Sequence, residues 1–141
     1  ISAPIPAVYA RLNGTQQNTN GQNLFVAWSS VDYDQFAMWT APTEFTIPSW
    51  ATHVRVYACA TFGANTSGVR YLGVRRNDIT IASNRSTGHA AVGVVHTTTP
   101  IFATPGGGVI TLNTWQNSGG SLAVGDSNNL SFVQIELFTT N

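Results

Sequence analysis

Eleven residues, Thr52 to Phe62, alternate without a break. Val54, Val56, Ala58, Ala60 and Phe62 fall on one side, and His53, Arg55, Tyr57, Cys59 and Thr61 on the other. Side chains point to opposite faces every second residue in a strand, whereas a helix repeats every 3.6. The segment is therefore read as a long strand with one face buried. Ala58 and Ala60 are small, which suits the close approach of a second sheet. The opposite face is only half polar and carries Tyr57, which suits a face covered by another subunit.

The rest of the chain follows the same period. Val109–Trp115 is rich in β-branched residues and follows a Pro-Gly-Gly-Gly break. It runs into Gln116-Asn117-Ser118-Gly119-Gly120, after which Leu122 and Val124 restart a two-residue period, so a strand, a glycine turn and a returning strand are expected. In Asn129–Phe138, Val133, Ile135 and Leu137 share one face, and Phe132, Gln134, Glu136 and Phe138 the other. Shorter runs at Ala7–Leu12, Asn23–Trp28, Phe36–Thr40, Glu44–Ile47, Val69–Arg75 and Ile79–Ala82 also read as strands, and Gly88–Thr99 reads as a second long one. Asn13–Asn23, Ser29–Gln35 and Ser83–Thr87 read as polar loops. About ten strands and no helix-period segment predict an all-β, antiparallel jelly-roll sandwich.

The 141 residues suit a single domain. Residues 1–6, with Pro4 and Pro6, read as a lead-in or linker, and 7–141 as the jelly roll, the C-terminal head of a longer fibre-like protein. Charged residues make up only 9% of the chain, lysine is absent, and the net charge is zero. Nucleic-acid binding needs clustered cations, so it is not expected. No apolar run approaches the length of a membrane span, so membrane insertion is not expected either. The lone Cys59 rules out an internal disulfide and reads as a small buried hydrophobe.

The order FTIPSWATHVRVYACATF, GVRYLGVRRNDITI, VITLNTWQNSGGSLAV and LSFVQIELF resembles the globular-head domain of the complement first-component family. That family shares the tumour-necrosis-factor-like jelly roll. Gln116–Gly120 is the most specific piece, and it is similar to versions found on bacteriophage fibres. The resemblance spans roughly Ala7–Phe138. It implies a homotrimer and a binding role without chemistry, at a virion surface or otherwise extracellular. The resemblance and the apolar leftovers on two strands together single out Tyr57 and Phe132 as contacts between subunits.

Ligand contacts are expected in three turns that can vary without disturbing strands: Asp32, Tyr33 and Asp34; Arg75, Arg76 and Asp78; and Trp115, Gln116 and Asn117. Arginine forks can grip an acidic sugar or a phosphate, and Arg85 lies in the next loop. Asp32 and Asp34 fall short of the six to eight oxygens calcium prefers and read as a solvated turn, so no metal or cofactor is expected. Trp28 and Trp39 are assigned to burial, with Trp50 and Trp115 left open. Asn13, Asn65, Asn84 and Asn129 head Asn-x-Ser/Thr sequons that this composition yields by chance. No nucleophile motif or convincing carboxylate pair is found, so the chain is not expected to be an enzyme. The leading reading is a head that binds a host cell-surface glycan or protein. A purely structural trimerisation or capsid-decoration module and a glycan-degrading fibre tip are the alternatives.

Overall fold

The structure is a computed structural model that describes residues 1–128 and 130–140. Fourteen strands and no helix are found among the described residues, arranged as two facing antiparallel sheets. One sheet contains β1 (Ile5–Arg11), β2 (Gln16–Asn18), β4 (Ser30–Asp34), β7 (His53–Phe62), β10 (Gly93–Thr98), β11 (Phe102–Ala103), β13 (Leu122–Val124) and β14 (Phe132–Phe138). The other contains β3 (Leu24–Phe25), β5 (Trp39–Ala41), β6 (Glu44–Ile47), β8 (Asn65–Arg76), β9 (Ile79–His89) and β12 (Gly108–Gln116).

Strand β7 is the hub of the first sheet, pairing with β14 along one edge and with β10 and β11 along the other. Val54, Val56, Ala58, Ala60 and Phe62 all point into the space between the sheets and are buried. Val133, Ile135 and Leu137 from β14 join them, as do Ile110 and Leu112 from β12 and Phe45 from β6. The two-residue period thus assigns one face of each inner strand to the core. The Arg76–Ile79 pair closes β8 onto β9 through Asn77 and Asp78, which take φ of 49° and 63°. Two successive left-handed residues form the reversal whose twist matches that of paired strands.

Several expectations need correction. The Gln116–Gly120 turn does not close a hairpin. Strand β12 lies in the six-stranded sheet, whereas β13 pairs with β2 and β7 in the eight-stranded one. The turn is a crossing between sheets, and Leu122 and Val124 bury their side chains in the core once they have crossed. Ser29–Gln35 and Ser83–Thr87 are not loops: they contain β4 and the middle of β9. Gly88–Thr99 is two elements, the end of β9 and then β10. Ile5 and Pro6 already pair with Leu137 and Glu136, so β1 begins inside the expected lead-in. The ends of the chain run side by side, with Ser2 N donating to Thr139 O at 2.7 Å and Thr139 N donating to Ser2 Oγ at 2.9 Å.

Cys59 is buried on the outward side of β7, flanked in register by His96 and Phe132. Burial first, and the Asp126 carboxylate second, push its thiol from 9.0 up to about 11. The folded chain therefore holds the proton that the unfolded chain releases near pH 9. Stability from this group is fully present below pH 9 and is lost as pH rises towards 11, by roughly 2–3 kcal/mol in all. In urea titrations across that window, Cys59→Ala is expected to lose less stability than the native chain. Equal slopes would show that the thiol stays accessible to solvent.

Candidate binding groove on the six-stranded sheet

The outward face of the six-stranded sheet is built by register. Strand β8 pairs Tyr71 with Trp115 of β12 and with Arg85 of β9. Two residues further along, Gly73 pairs with Asn113 and Ser83, and beyond that Arg75 pairs with Thr111 and Thr80. Paired residues in antiparallel strands share a face. Large side chains therefore stand at both ends of this patch and a glycine sits in its centre.

The result is a groove of about 340 Å³, lined by Tyr71, Arg75, Arg85, Asn113 and Trp115 together with Asn23 and Thr80. Gly73 lets the Asn113 and Tyr71 side chains lie over the centre of the sheet, since a Cβ there would lie 2.6 Å from Asn113 Oδ1 and 2.7 Å from Tyr71 Oη. Each arginine in the groove sits against a ring. The Arg75 guanidinium is 5.7 Å from the Phe25 centroid, and that of Arg85 is 5.6 Å from the Tyr71 centroid. Both distances fall within cation–π range.

The remaining arginines are committed elsewhere. Arg11 pairs with Asp32 at 3.1 Å, and Arg55 with Glu136 at 3.0 Å. Arg70 is buried, and burial lowers its pKa. It donates to Ser67 O at 2.7 Å and Asn65 O at 2.6 Å. Arg76 donates from Nε to Gly107 O at 2.9 Å and from Nη2 to Pro105 O at 2.9 Å.

Of the nine residues expected in binding turns, the structure brings Arg75 and Trp115 into one groove and disperses the rest. Asp32, Tyr33 and Asp34 belong to β4, at an edge of the other sheet. The Asp34 carboxylate accepts Met38 N at 2.8 Å and Trp39 N at 2.9 Å. With Asp32 on Arg11, this pair reads neither as a solvated turn nor as a cation cage. Arg76 fastens the glycine-rich segment before β12. Asp78 lines a separate hollow with Glu44, Asn77 and Thr111. Gln116 is fully buried and holds the sheet crossing together, donating from Nε2 to Asn18 O at 2.7 Å and to Gly120 O at 2.8 Å. Asn117 accepts Val69 N at 2.6 Å and serves the backbone as well.

Sequence reasoning missed Tyr71, Asn113 and Asn23, and it placed Arg85 in a loop. The alternation Tyr71, Gly73, Arg75 was readable, but the register of β8 against β12 and β9 was not. Trp28 is buried as expected, whereas Trp39 is half-buried and Trp50 is exposed against Phe36. The Asn129 sequon lies outside the described residues.

On the opposite side of the molecule, the outward face of the eight-stranded sheet carries a row of rings. Tyr9 stacks on Phe132 with centroids 5.6 Å apart and on Tyr33 at 6.3 Å. Tyr57, 38% exposed, stands nearby on β7. Phe138 is buried, with the Arg55 guanidinium 5.6 Å above its ring, so it adds nothing to the exposed apolar surface.

No family model matches this chain, and no curated protein does. Solved structures match over nearly its whole length at low identity. The Eiger TNF of S. frugiperda aligns with a TM-score of 0.65 at 10% identity, covering 99% of this chain and 96% of its own. Murine APRIL aligns at 0.63 and 12% identity, covering 93% and 98%. The globular domain of zebrafish complement 1qA aligns at 0.60 and 12% identity, covering 97% and 98%. At such identities the likeness establishes the fold, and that fold is the jelly roll shared by tumour necrosis factors and complement globular heads.

Proposed function

We propose that this chain is a non-catalytic, homotrimeric binding head, the tip of a bacteriophage fibre, that attaches to a host cell-surface glycan or protein outside the cell. The observation that carries the assembly is the aromatic row Tyr33, Tyr9, Phe132 with Tyr57 on an outward sheet face. Ring surface on an outward sheet face marks an interface, here shared with Gln134, which pairs with both Tyr9 and Tyr57. A different apolar strip, Val92 and Val94, is exposed at the β10 edge of the same sheet. A contact that joins an edge to a face is head-to-tail, and head-to-tail contacts form a ring when the rotation between copies closes. With zero net charge, nothing electrostatic holds copies of the chain apart. The family resemblance selects three copies. Tyr57 and Phe132 are the residues placed between them.

The groove on the other sheet supports binding without turnover. Among the described residues, no carboxylate, imidazole or thiol lines it. The hydroxyls it does hold, on Tyr71 and Thr80, have no such group beside them in the lining to act as the base that activates a hydroxyl.

Multi-angle light scattering tests the assembly. A mass three times the 15.0 kDa of the chain is expected, falling to one chain for Tyr57→Arg with an unchanged circular dichroism spectrum. A monomer at micromolar concentration would remove the trimer. Adsorption of labelled protein to bacterial cells and to a glycan array tests attachment. A trimer that marks neither would be a structural module, and release of reducing sugar would make it a degrading tip.

A further inference from the structure

Arg75 and Arg85 differ from the other four arginines. Among the described residues, no carboxylate pairs with either guanidinium, and no carbonyl accepts from either. The Arg75 Nε–H is hidden from solvent and has no acceptor. A shielded donor left unpaired is destabilising, so an acceptor arriving beside it would be favoured. Two positive charges in a groove without a negative one, on a chain of zero net charge, favour an anion.

The groove floor offers the opposite chemistry. Asn113 is 4% exposed. Its Nδ2 donates to Asn23 Oδ1 at 3.0 Å, which leaves Oδ1 as a buried acceptor without a partner. A bare inorganic anion would set oxygen acceptors against this oxygen. A ligand that presents an anionic group and a hydroxyl donor together fits both the guanidiniums and this oxygen. Trp115 and Tyr71 add ring surface of the kind that packs an apolar body with a polar rim. Nucleic acid could supply the anion, but its affinity depends on many phosphate contacts, and two guanidiniums offer few.

We propose that this groove is a subsite for a carboxylate-bearing sugar of a glycan. The acid group meets the Arg75 guanidinium, Arg85 grips the sugar from the other end of the groove across the Gly73 rung, a hydroxyl donates to Asn113 Oδ1, and the ring lies on Trp115. Planar guanidiniums match a carboxylate with paired donors, which an ammonium cannot do, and the chain contains no lysine. A Cβ at Gly73 would push both Asn113 Oδ1 and Tyr71 Oη out of place on the groove floor. The inference rests on the binding-head reading and names the ligand class for it.

The test is a titration of the intact chain with the methyl glycosides of glucuronic acid and of N-acetylneuraminic acid. It is followed by nitrogen–proton NMR at the arginine Nε and tryptophan Nε1 signals. Either sugar is expected to shift the Arg75, Arg85 and Trp115 signals. Its methyl ester, which removes the charge and keeps the ring, is expected to bind at least tenfold more weakly. Arg75→Gln and Arg85→Gln should each lose about tenfold in affinity. Gly73→Ala should lose more, and if it fails to fold, the two arginine variants still decide the outcome. Inorganic phosphate and sulfate are run alongside. If they bind as well as the sugars, the sugar assignment is overturned in favour of a plain anion site. Equal binding of acid and ester overturns the charge assignment, and no shift with either sugar overturns the subsite. Failure of the head reading looks different. A groove that binds sugar on a chain that marks no cell or array removes the attachment role alone. Cell binding that survives Arg75→Gln and Arg85→Gln places the receptor contact elsewhere and overturns the groove alone.

Discussion

Val56→Asp is expected to leave no soluble folded protein. Val56 sits mid-strand on β7, fully buried, opposite Ile135 of β14. Its backbone is already saturated: its N–H donates to Thr99 Oγ1 at 2.9 Å, and its carbonyl accepts Thr99 N at 3.0 Å. A carboxylate there has no arginine to meet and no free amide to accept from. Burying it costs several kcal/mol in either protonation state, against a total stability of about 5–15 kcal/mol for an ordinary domain. The next residue is the control. Tyr57→Asp puts the same charge on the outward face and is expected to yield a folded chain that has lost only its assembly. Native circular dichroism and solubility in Val56→Asp would mean that the register of β7 is shifted by one.

Gln116→Ala is expected to lower the melting temperature by about 10 °C while leaving the groove able to bind. Gln116 is the corner post where the chain leaves one sheet for the other. Its amide satisfies Asn18 O and Gly120 O, its Oε1 accepts Ser118 N at 2.7 Å, and its own carbonyl accepts Gly21 N at 2.8 Å. Its neighbour Asn18 is also buried and receives Thr114 Oγ1 at 2.9 Å. Truncating Gln116 strands a buried carbonyl and loosens two partners nearer solvent, about 3 kcal/mol in sum. For a domain of this size each kcal/mol moves the midpoint by about 2–8 °C. Scanning calorimetry checks the first half, and sugar titration checks the second. An unchanged midpoint with lost sugar binding would return Gln116 to the ligand-contacting residues.

The buried half of the fold was legible because burial writes a period into the sequence. Val54 to Phe62 and Val133 to Leu137 show it plainly. Edge strands write no such period. Strand β9 buries none of its side chains and holds its place by backbone pairing to β8, so its Ser83-Asn84-Arg85-Ser86-Thr87 stretch reads as a loop. Strand β4 fails in the same way at the other sheet's edge. The crossing at Gln116 to Gly120 was misread for a different reason. Glycine permits a reversal but does not say whether the returning strand pairs with its predecessor or with another sheet. The groove was half legible: Arg75 and Trp115 announced themselves by type. Their partners Tyr71, Asn113 and Arg85 depend on which residue of β8 lies opposite which residue of β12 and β9. That is set by core packing on the other side of the sheet.

The neighbouring ends of the chain have a mechanical consequence. Strands β1 and β14 are antiparallel, with Ile5 opposite Leu137, so both termini leave from the same end of one strand pair. A load that pulls the two ends apart meets the hydrogen bonds between these strands one after another, like a zipper. A load that enters only through residue 1 and is resisted by the far sheet runs along β1. It strains the bonds to β14 and to β4 together, in shear. The same protein is thus weak when stretched between its own ends and strong when tugged by one of them.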